Sequence, residues 1–234
     1  ERFGVALERA GGTDLAVDRT AVAFDARLAR VAFDDRLARA WRQQELVAGR
    51  DAGERDKCLK CLRRSLEIAG VLAVDGVLLH PGQLTAEGTY QQAWDDLRAA
   101  LIDTAALAAE MGAAIGVENV WNKFLLSPLE ARRFVDEVGS DWAGIYLDTA
   151  NMMAYGHPEH WIRELGERIK KVHFKDFLRR EHRFVNLREG DTDWSVVMAE
   201  LRVIGYDSTL IHEVGGSREE LIDLGERMRE SAAL

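Results

Sequence analysis

Four short apolar runs in this chain each stop on a side chain able to bind a metal ion. They are Ile115-Gly-Val-Glu118, Ile145-Tyr-Leu-Asp148, Lys171-Val-His173 and Leu210-Ile-His-Glu213. Stretches with the apolar period of a helix separate them. The runs do not alternate polar with apolar residues, which is the pattern of strands buried on both faces of a parallel sheet. Parallel strands need a crossover between them, and a helix is the usual one. Strand and helix therefore alternate, and the chain is expected to be an α/β protein.

The regular part begins near Glu54. Glu54 to about Leu72 reads as an amphipathic helix, and Asp75-Gly76 turns into a strand from Val77 to His80, which Pro81-Gly82 ends. A helix from about Tyr90 to Met111 closes on Gly112, and Ala114 to Glu118 is the next strand. Ser127-Pro128-Leu-Glu130 has the form of a helix start, with Ser127 as N-cap, Pro128 at the first position and Glu130 at the capping-box position. That helix runs to about Val138. The remaining pattern is strand 144–147, helix 158–165, strand 171–174, helix 194–204, strand 209–213 and a helix from Arg218. Before residue 54 the pattern is weaker. Phe3 to Leu7 reads as a strand, about Asp18 to Arg30 as a helix and Val31 to Phe33 as a weak strand, while residues 34–53 have no clear reading.

Length and composition fit one barrel. The chain has 234 residues, 47% hydrophobic and 30% charged, a usual size for a single (β/α)8 TIM barrel and enough apolar material for a substantial core. About seven strand candidates are visible where a full barrel has eight, so the first strand and helix are expected to be missing from residues 1–234, read as one barrel domain. No Gly-x-Gly-x-x-Gly follows the first readable strand, which weakens a dinucleotide-binding open sheet. A barrel also brings every strand's C-terminal end to one rim. Glu118, Asp148, His173 and Glu213 can then converge across separations of 30, 25 and 40 residues.

Each of the four has an ordinary alternative. The glutamates could be polar strand ends, Asp148 an N-cap, and His173 a hydrogen-bonded core histidine. Their recurrence at successive strand ends favours a metal. Three carboxylates and an imidazole suit Mn²⁺, Mg²⁺ or Co²⁺ better than a structural zinc.

The net charge of −9 argues against nucleic acid as the main partner, since a phosphate backbone is bound by clustered Lys and Arg. No signal peptide or membrane-spanning run is evident, so a cytoplasmic protein without a membrane partner is expected. Cys58 and Cys61 are the only cysteines. They lie within a helical pattern and without a second pair to complete a zinc site, so they read as two helix-face thiols.

Gly-Val-Glu-Asn-Val-Trp-Asn-Lys-Phe (116–124), Leu-Asp-Thr-Ala-Asn-Met-Met-Ala-Tyr-Gly-His-Pro-Glu-His-Trp-Ile (147–162), Lys-Lys-Val-His-Phe-Lys-Asp-Phe (170–177) and Glu-Gly-Asp-Thr-Asp-Trp (189–194) carry a family resemblance. Over roughly residues 54–215 the chain resembles the sugar phosphate isomerase/epimerase family of xylose-isomerase-like barrels, with Phe3 to Leu7 matching the second barrel strand. The resemblance to the ketose 3-epimerases implies one metal ion on Glu118, Asp148, His173 and Glu213. It implies that Glu118 and Glu213 also act as acid and base, one taking the proton beside the substrate carbonyl and the other returning a proton on the opposite face. The metal would stabilise the enediolate between these steps.

Further residues carry over less directly. A substrate-contacting His of the epimerases is Asn151 here, and an Arg six residues past the His ligand corresponds to Arg179. Phe124 stands where a Glu is often found, which implies a different substrate end. Lys175, two past His173, is expected to point to the same side, toward a hydroxyl or phosphate or into solvent. His157, His160 and His182 read as surface or loop residues. The implied partner is a small sugar or sugar phosphate, with a homodimer as a possible assembly.

His80-Pro-Gly-Gln also resembles the His-Pro-Gly of the AP endonucleases in the same superfamily. Those enzymes use three zinc ions, and their further histidines are replaced by Asn151 and by His182-Arg-Phe184. DNA repair is accordingly disfavoured, and His80 is a sugar-contacting candidate or a plain polar strand end. An inosose dehydratase or hydroxypyruvate-isomerase-type enzyme on the same barrel, and a non-catalytic sugar-binding barrel, are the other readings.

Overall fold

A computed structural model describes residues 52–213 and 217–234. The expected strands at Phe3–Leu7 and Val31–Phe33, the helix near residues 18–30 and most of residues 34–53 lie outside the described residues. In chain order the elements are α1 (Ala52–Leu72), β1 (Gly76–Leu79), α2 (Tyr90–Met111), β2 (Ala114–Glu118), α3 (Pro128–Val138), β3 (Ala143–Asp148), a 3₁₀ turn (Asn151–Ala154), α4 (Pro158–Leu165) and β4 (Ile169–His173). After a short 3₁₀ turn before β4, the chain continues with β5 (Asp176–Leu178), β6 (Arg183–Val185), α5 (Trp194–Val203), β7 (Leu210–Ile211) and α6 (Arg218–Ala232).

Among the described residues five strands form one parallel sheet in the order β1-β2-β3-β4-β7. Spatial order follows chain order, without the reversal that defines a doubly wound sheet. Successive helices also touch, from α1 against α2 through to α5 against α6. This is the (β/α) winding of a TIM barrel. Leu79, Ile115, Val117, Ile145, Leu147 and Val172 of the strands are buried against Leu66, Leu97, Phe134, Ile162 and Leu201 of the helices. Among the described residues no helix is long and apolar enough to cross a membrane.

Local signals account for most boundaries. Thr89 caps α2 by accepting the Gln92 N–H at 3.1 Å, and Gly112 ends it in the left-handed region at φ 66°. Ser127 caps α3 by accepting the Glu130 N–H, with Pro128 at the helix start. Glu130 does not complete a capping box, however. Its carboxylate accepts the Leu126 N–H at 2.9 Å and the Tyr90 hydroxyl, tying the entry of α3 to α2. A full capping box forms instead at Ser217 and Glu220, at the start of α6. Cys58 and Cys61 both lie on α1, the former buried.

Two features were not read from the sequence pattern. The predicted last strand shortens to Leu210–Ile211, which leaves Glu213 two residues beyond it. Between β4 and α5 the chain forms an antiparallel hairpin, β5 with β6. Arg179 to Arg183 hold four charged side chains and a histidine in five residues, so strand period is masked there.

Asp176 holds the end of this insertion to the barrel. Its fully buried carboxylate accepts five hydrogen bonds, from the backbone N–H groups of Phe177, Arg188, Gly190 and Thr192 and from the Trp194 indole, at 2.9–3.2 Å. A methyl group on Gly190 would lie 2.2 Å from Asp176 Oδ1 and 2.7 Å from the Phe177 nitrogen. The Glu-Gly-Asp-Thr-Asp-Trp stretch therefore wraps a carboxylate and needs its glycine for close approach. Asp176→Asn would turn an amide donor toward a set of donors, and Gly190→Ala would force the loop off. Each substitution is expected to cost about 2–4 kcal/mol, read as a lower urea midpoint with little change in slope. Wild-type midpoints for both variants would show that this knot does not hold the loop.

Candidate metal centre

The parallel register brings the polar strand ends together. Asp148 lies directly beside His173 in the β3–β4 pair, and Glu118 ends the neighbouring β2. One ligand atom from each of Glu118, Asp148, His173 and Glu213 falls within 4.8 Å of the others. His173 Nδ1 is 3.0 Å from Glu118 Oε1, 4.0 Å from Asp148 Oδ2 and 3.9 Å from Glu213 Oε2. Glu118, Asp148 and His173 are buried, whereas Glu213 is the exposed member.

Backbone groups orient Asp148. Its Oδ1 accepts the N–H groups of Ala150 and Asn151, both at 2.8 Å, which directs Oδ2 into the cluster. Oδ2 is buried and accepts no hydrogen bond. Its close neighbour is the Lys175 ammonium at 3.1 Å, a charge contact that lies off the hydrogen-bonding direction. The same ammonium donates to Glu213 Oε2 at 3.1 Å. Burial pushes the Asp148 carboxyl upward; Lys175 pulls it down and Glu118 raises it further. For Lys175 burial works to lower the pKa, and the attraction of Asp148 and Glu213 outweighs it, leaving the group raised.

This donor set fits a divalent ion. Ligand atoms about 2.0–2.2 Å from a Mg²⁺ or Zn²⁺ centre stand up to ~4.4 Å apart across it, close to the spread of the cluster. The buried, hydrogen-bond-free Asp148 Oδ2 also faces the space between the four side chains. Three carboxylates brought this close repel one another and favour a cation among them.

Asn119 keeps the strand ends in place. Its Oδ1 accepts the Asp148 N–H at 2.8 Å, and its Nδ2 donates to the Asp148 carbonyl at 3.0 Å. Thr149 Oγ1 accepts the Lys175 N–H at 3.0 Å and donates to the Lys175 carbonyl at 2.7 Å. Neither residue was singled out from the sequence, although Asn119 directly follows Glu118 in the motif and Thr149 follows Asp148.

The other candidates differ in their surroundings. His80 lies just past β1, where its Nδ1 accepts the Gly82 N–H at 3.3 Å. Burial lowers its pKa, and the fields of Glu118 and Glu213 oppose that. Asn151 is buried and its side-chain amide donates to the Asn119 carbonyl at 2.9 Å. Arg179 donates to the carbonyls of Met153 and Gly156 at 2.6 and 2.8 Å, and these bonds brace the turn after β3 rather than reaching the cluster. Phe124 packs among Tyr90, Trp94 and Phe134 in the core. His157, His160 and His182 are exposed, and His182 stacks on Trp121 with centroids 5.2 Å apart.

His212, between β7 and Glu213, is held down to about 4, first by burial and then by the charges of Lys175 and His173. Its ordinary value is 6.5, so the folded state binds the proton less readily than the unfolded chain. The stability this contributes is present above about pH 6.5 and is lost as pH falls toward about 4. In chelator-treated protein, His212→Gln is expected to flatten the fall of melting temperature over that window. Parallel curves for variant and wild type would refute the assignment.

A model of the xylose isomerase-like TIM barrel matches residues 45–234. An uncharacterized protein of Methanocaldococcus jannaschii is 25% identical over 160 residues, 65% of this chain and 55% of that protein. The chain thus spans little more than half the length of that curated relative. Among solved structures, a D-tagatose 3-epimerase-like protein is 23% identical with a TM-score of 0.69, over 78% of this chain and 71% of that one. The IOLI protein with a bound zinc atom is 16% identical with a TM-score of 0.68, over 90% of this chain and 84% of that one. At these identities the two structures show a shared fold. With the family model matching most of its length, over strands that bring their polar ends to one cluster, this chain belongs to the xylose isomerase-like TIM barrel family.

Proposed function

We propose that the protein is a divalent-metal-dependent isomerase or epimerase of a small sugar or sugar phosphate, with ketose 3-epimerisation as its reaction. The convergence of Glu118, Asp148, His173 and Glu213 within 4.8 Å carries this reading. The same four residues would hold the ion, with Mn²⁺, Mg²⁺ or Co²⁺ preferred by the carboxylate-rich set. Zinc belongs in the same comparison, since a structure of similar fold was solved with a zinc atom bound. When bound, the ion supplies positive charge that stabilises an enediolate as it forms.

The protein's own residues would divide the remaining work. A proton beside a ketone is too weakly acidic for a free carboxylate, so the base must act where negative charge is already accommodated. Glu118 on β2 and Glu213 beyond β7 flank the β3–β4 pair that carries Asp148 and His173. One glutamate can take the proton from one face of the carbon while the other returns a proton to the opposite face. Asp148 is turned by the 150 and 151 N–H groups toward charge rather than toward substrate, which suits a ligand better than a base. His80 and Lys175 are the side chains proposed to meet substrate oxygens. Asn151 and Arg179, also expected there, would act mainly by holding the turn after β3.

Glu118→Gln and Glu213→Gln should each lower turnover of the preferred ketose by about 10²–10⁴-fold while the protein stays folded. Wild-type protein in deuterated water should introduce deuterium at carbon 3 of that ketose. Unchanged turnover in both variants would remove the catalytic assignment. Adding Mn²⁺ at about 100 times its dissociation constant should stabilise the fold by about 2.7 kcal/mol. A melting temperature that no divalent ion raises would count against the metal centre itself.

A further inference from the structure

We propose that the Lys175 ammonium is a resident counter-cation of the carboxylate cluster, competing with the divalent ion for Asp148 and Glu213 and being displaced when the ion binds. This rests on the metal-dependent reading above and adds a control on how tightly the metal is held. Lys175 Nζ lies 3.1 Å from both Asp148 Oδ2 and Glu213 Oε2. These are the two oxygens that face His173 Nδ1, at 4.0 and 3.9 Å, and they are the atoms an ion among the four side chains would use. Asp148 has no spare oxygen, because Oδ1 already accepts two backbone N–H groups. At Asp148, lysine and metal therefore need the same atom, and at Glu213 the lysine holds the oxygen nearest His173. An ammonium left 3.1 Å from an oxygen that binds a divalent ion would stand within a few ångströms of that ion, with its charge unscreened by bulk water.

Displacement requires only side-chain movement. The Lys175 backbone is fixed on both sides, through its N–H to Thr149 Oγ1 and its carbonyl from the same hydroxyl. The four-carbon stem leaves the ammonium mobile. A resting place is already adjacent, since Nζ lies 4.7 Å from the centre of the Phe184 ring on the β5–β6 hairpin. That ring is 41% exposed and stacks on Trp121, so a lysine held over its face would remain at the mouth of the cluster. The displaced ammonium would then face an incoming substrate oxygen. In the metal-free protein the same charge offsets repulsion among the carboxylates.

The experiment compares wild-type protein with Lys175→Met and Lys175→Gln, all stripped by chelator and titrated calorimetrically with Mn²⁺. Both neutral variants should bind Mn²⁺ about tenfold more tightly or better, since a competing charge has been removed. Their metal-free forms should melt below metal-free wild type, an opposite sign that a merely packing role would not produce. Unchanged or weaker Mn²⁺ binding in the two variants overturns the proposal. If neither variant folds, Mg²⁺ is titrated into wild-type protein carrying ¹³C-labelled lysine. The Lys175 Cε resonance should move as the site fills, and a resonance that stays in place overturns it. Asp148→Asn should lose Mn²⁺ binding. Folded wild-type protein that binds no Mn²⁺ would sink the metal-centre reading together with this inference, whereas tight wild-type binding that the neutral variants leave unchanged sinks the lysine inference alone.

Discussion

A fully buried carboxylate, that of Asp148, sets the conditions for the rest of the site. Moving an ionised carboxylate out of water is costly unless hydrogen bonds and positive charge replace its hydration. Here one oxygen is satisfied by two N–H groups of the turn after β3, and the other looks toward His173, Glu213 and the Lys175 ammonium. The turn, the neighbouring strand ends and the cation all answer to that one group. Glu118 and Glu213 add negative charge to the same small volume, so the cluster is held by the strands against its own repulsion.

The scaffold resists that repulsion by fixing backbone rather than by packing alone. Asn119 bonds both the N–H and the carbonyl of Asp148, and Thr149 does the same for Lys175. A second polar knot lies further out, where Asp176 collects five donors from the loop leading to Trp194. Buried networks of this kind specify one arrangement because each member left unpaired would cost its full desolvation. They place the hairpin carrying Phe184 beside the lysine, and so join the metal cluster to an aromatic edge.

Close approach of backbone segments explains one glycine of β3. Gly144 is the second residue of the fully buried β3, and a methyl group there would sit 2.3 Å from the Arg168 carbonyl. The register between β3 and β4 slips just beyond it, between Ile145 and Tyr146. After the slip Asp148 stands opposite His173, the pairing on which the cluster depends.

Much of this was legible in the sequence, because apolar runs, caps and terminating carboxylates are local signals. The helices at 90–111, 128–138 and 158–165 follow from Thr89, Ser127, Pro128, Pro158 and the glycines after the first two. Glu118, Asp148, His173 and Glu213 stood out by their positions at strand ends. The β5–β6 hairpin did not, since charged residues hide its period, and the packing of Phe124 against Tyr90 and Trp94 in the core is likewise a tertiary property. The sequence by itself determined the alternation of elements and the chemical types at the rim, both properties of neighbouring residues. Only tertiary structure decided which oxygen of Asp148 is free, that Arg179 braces a turn, and that Lys175 shares two carboxylates. Those facts depend on distances between residues tens of positions apart, which strand register sets and local sequence does not encode.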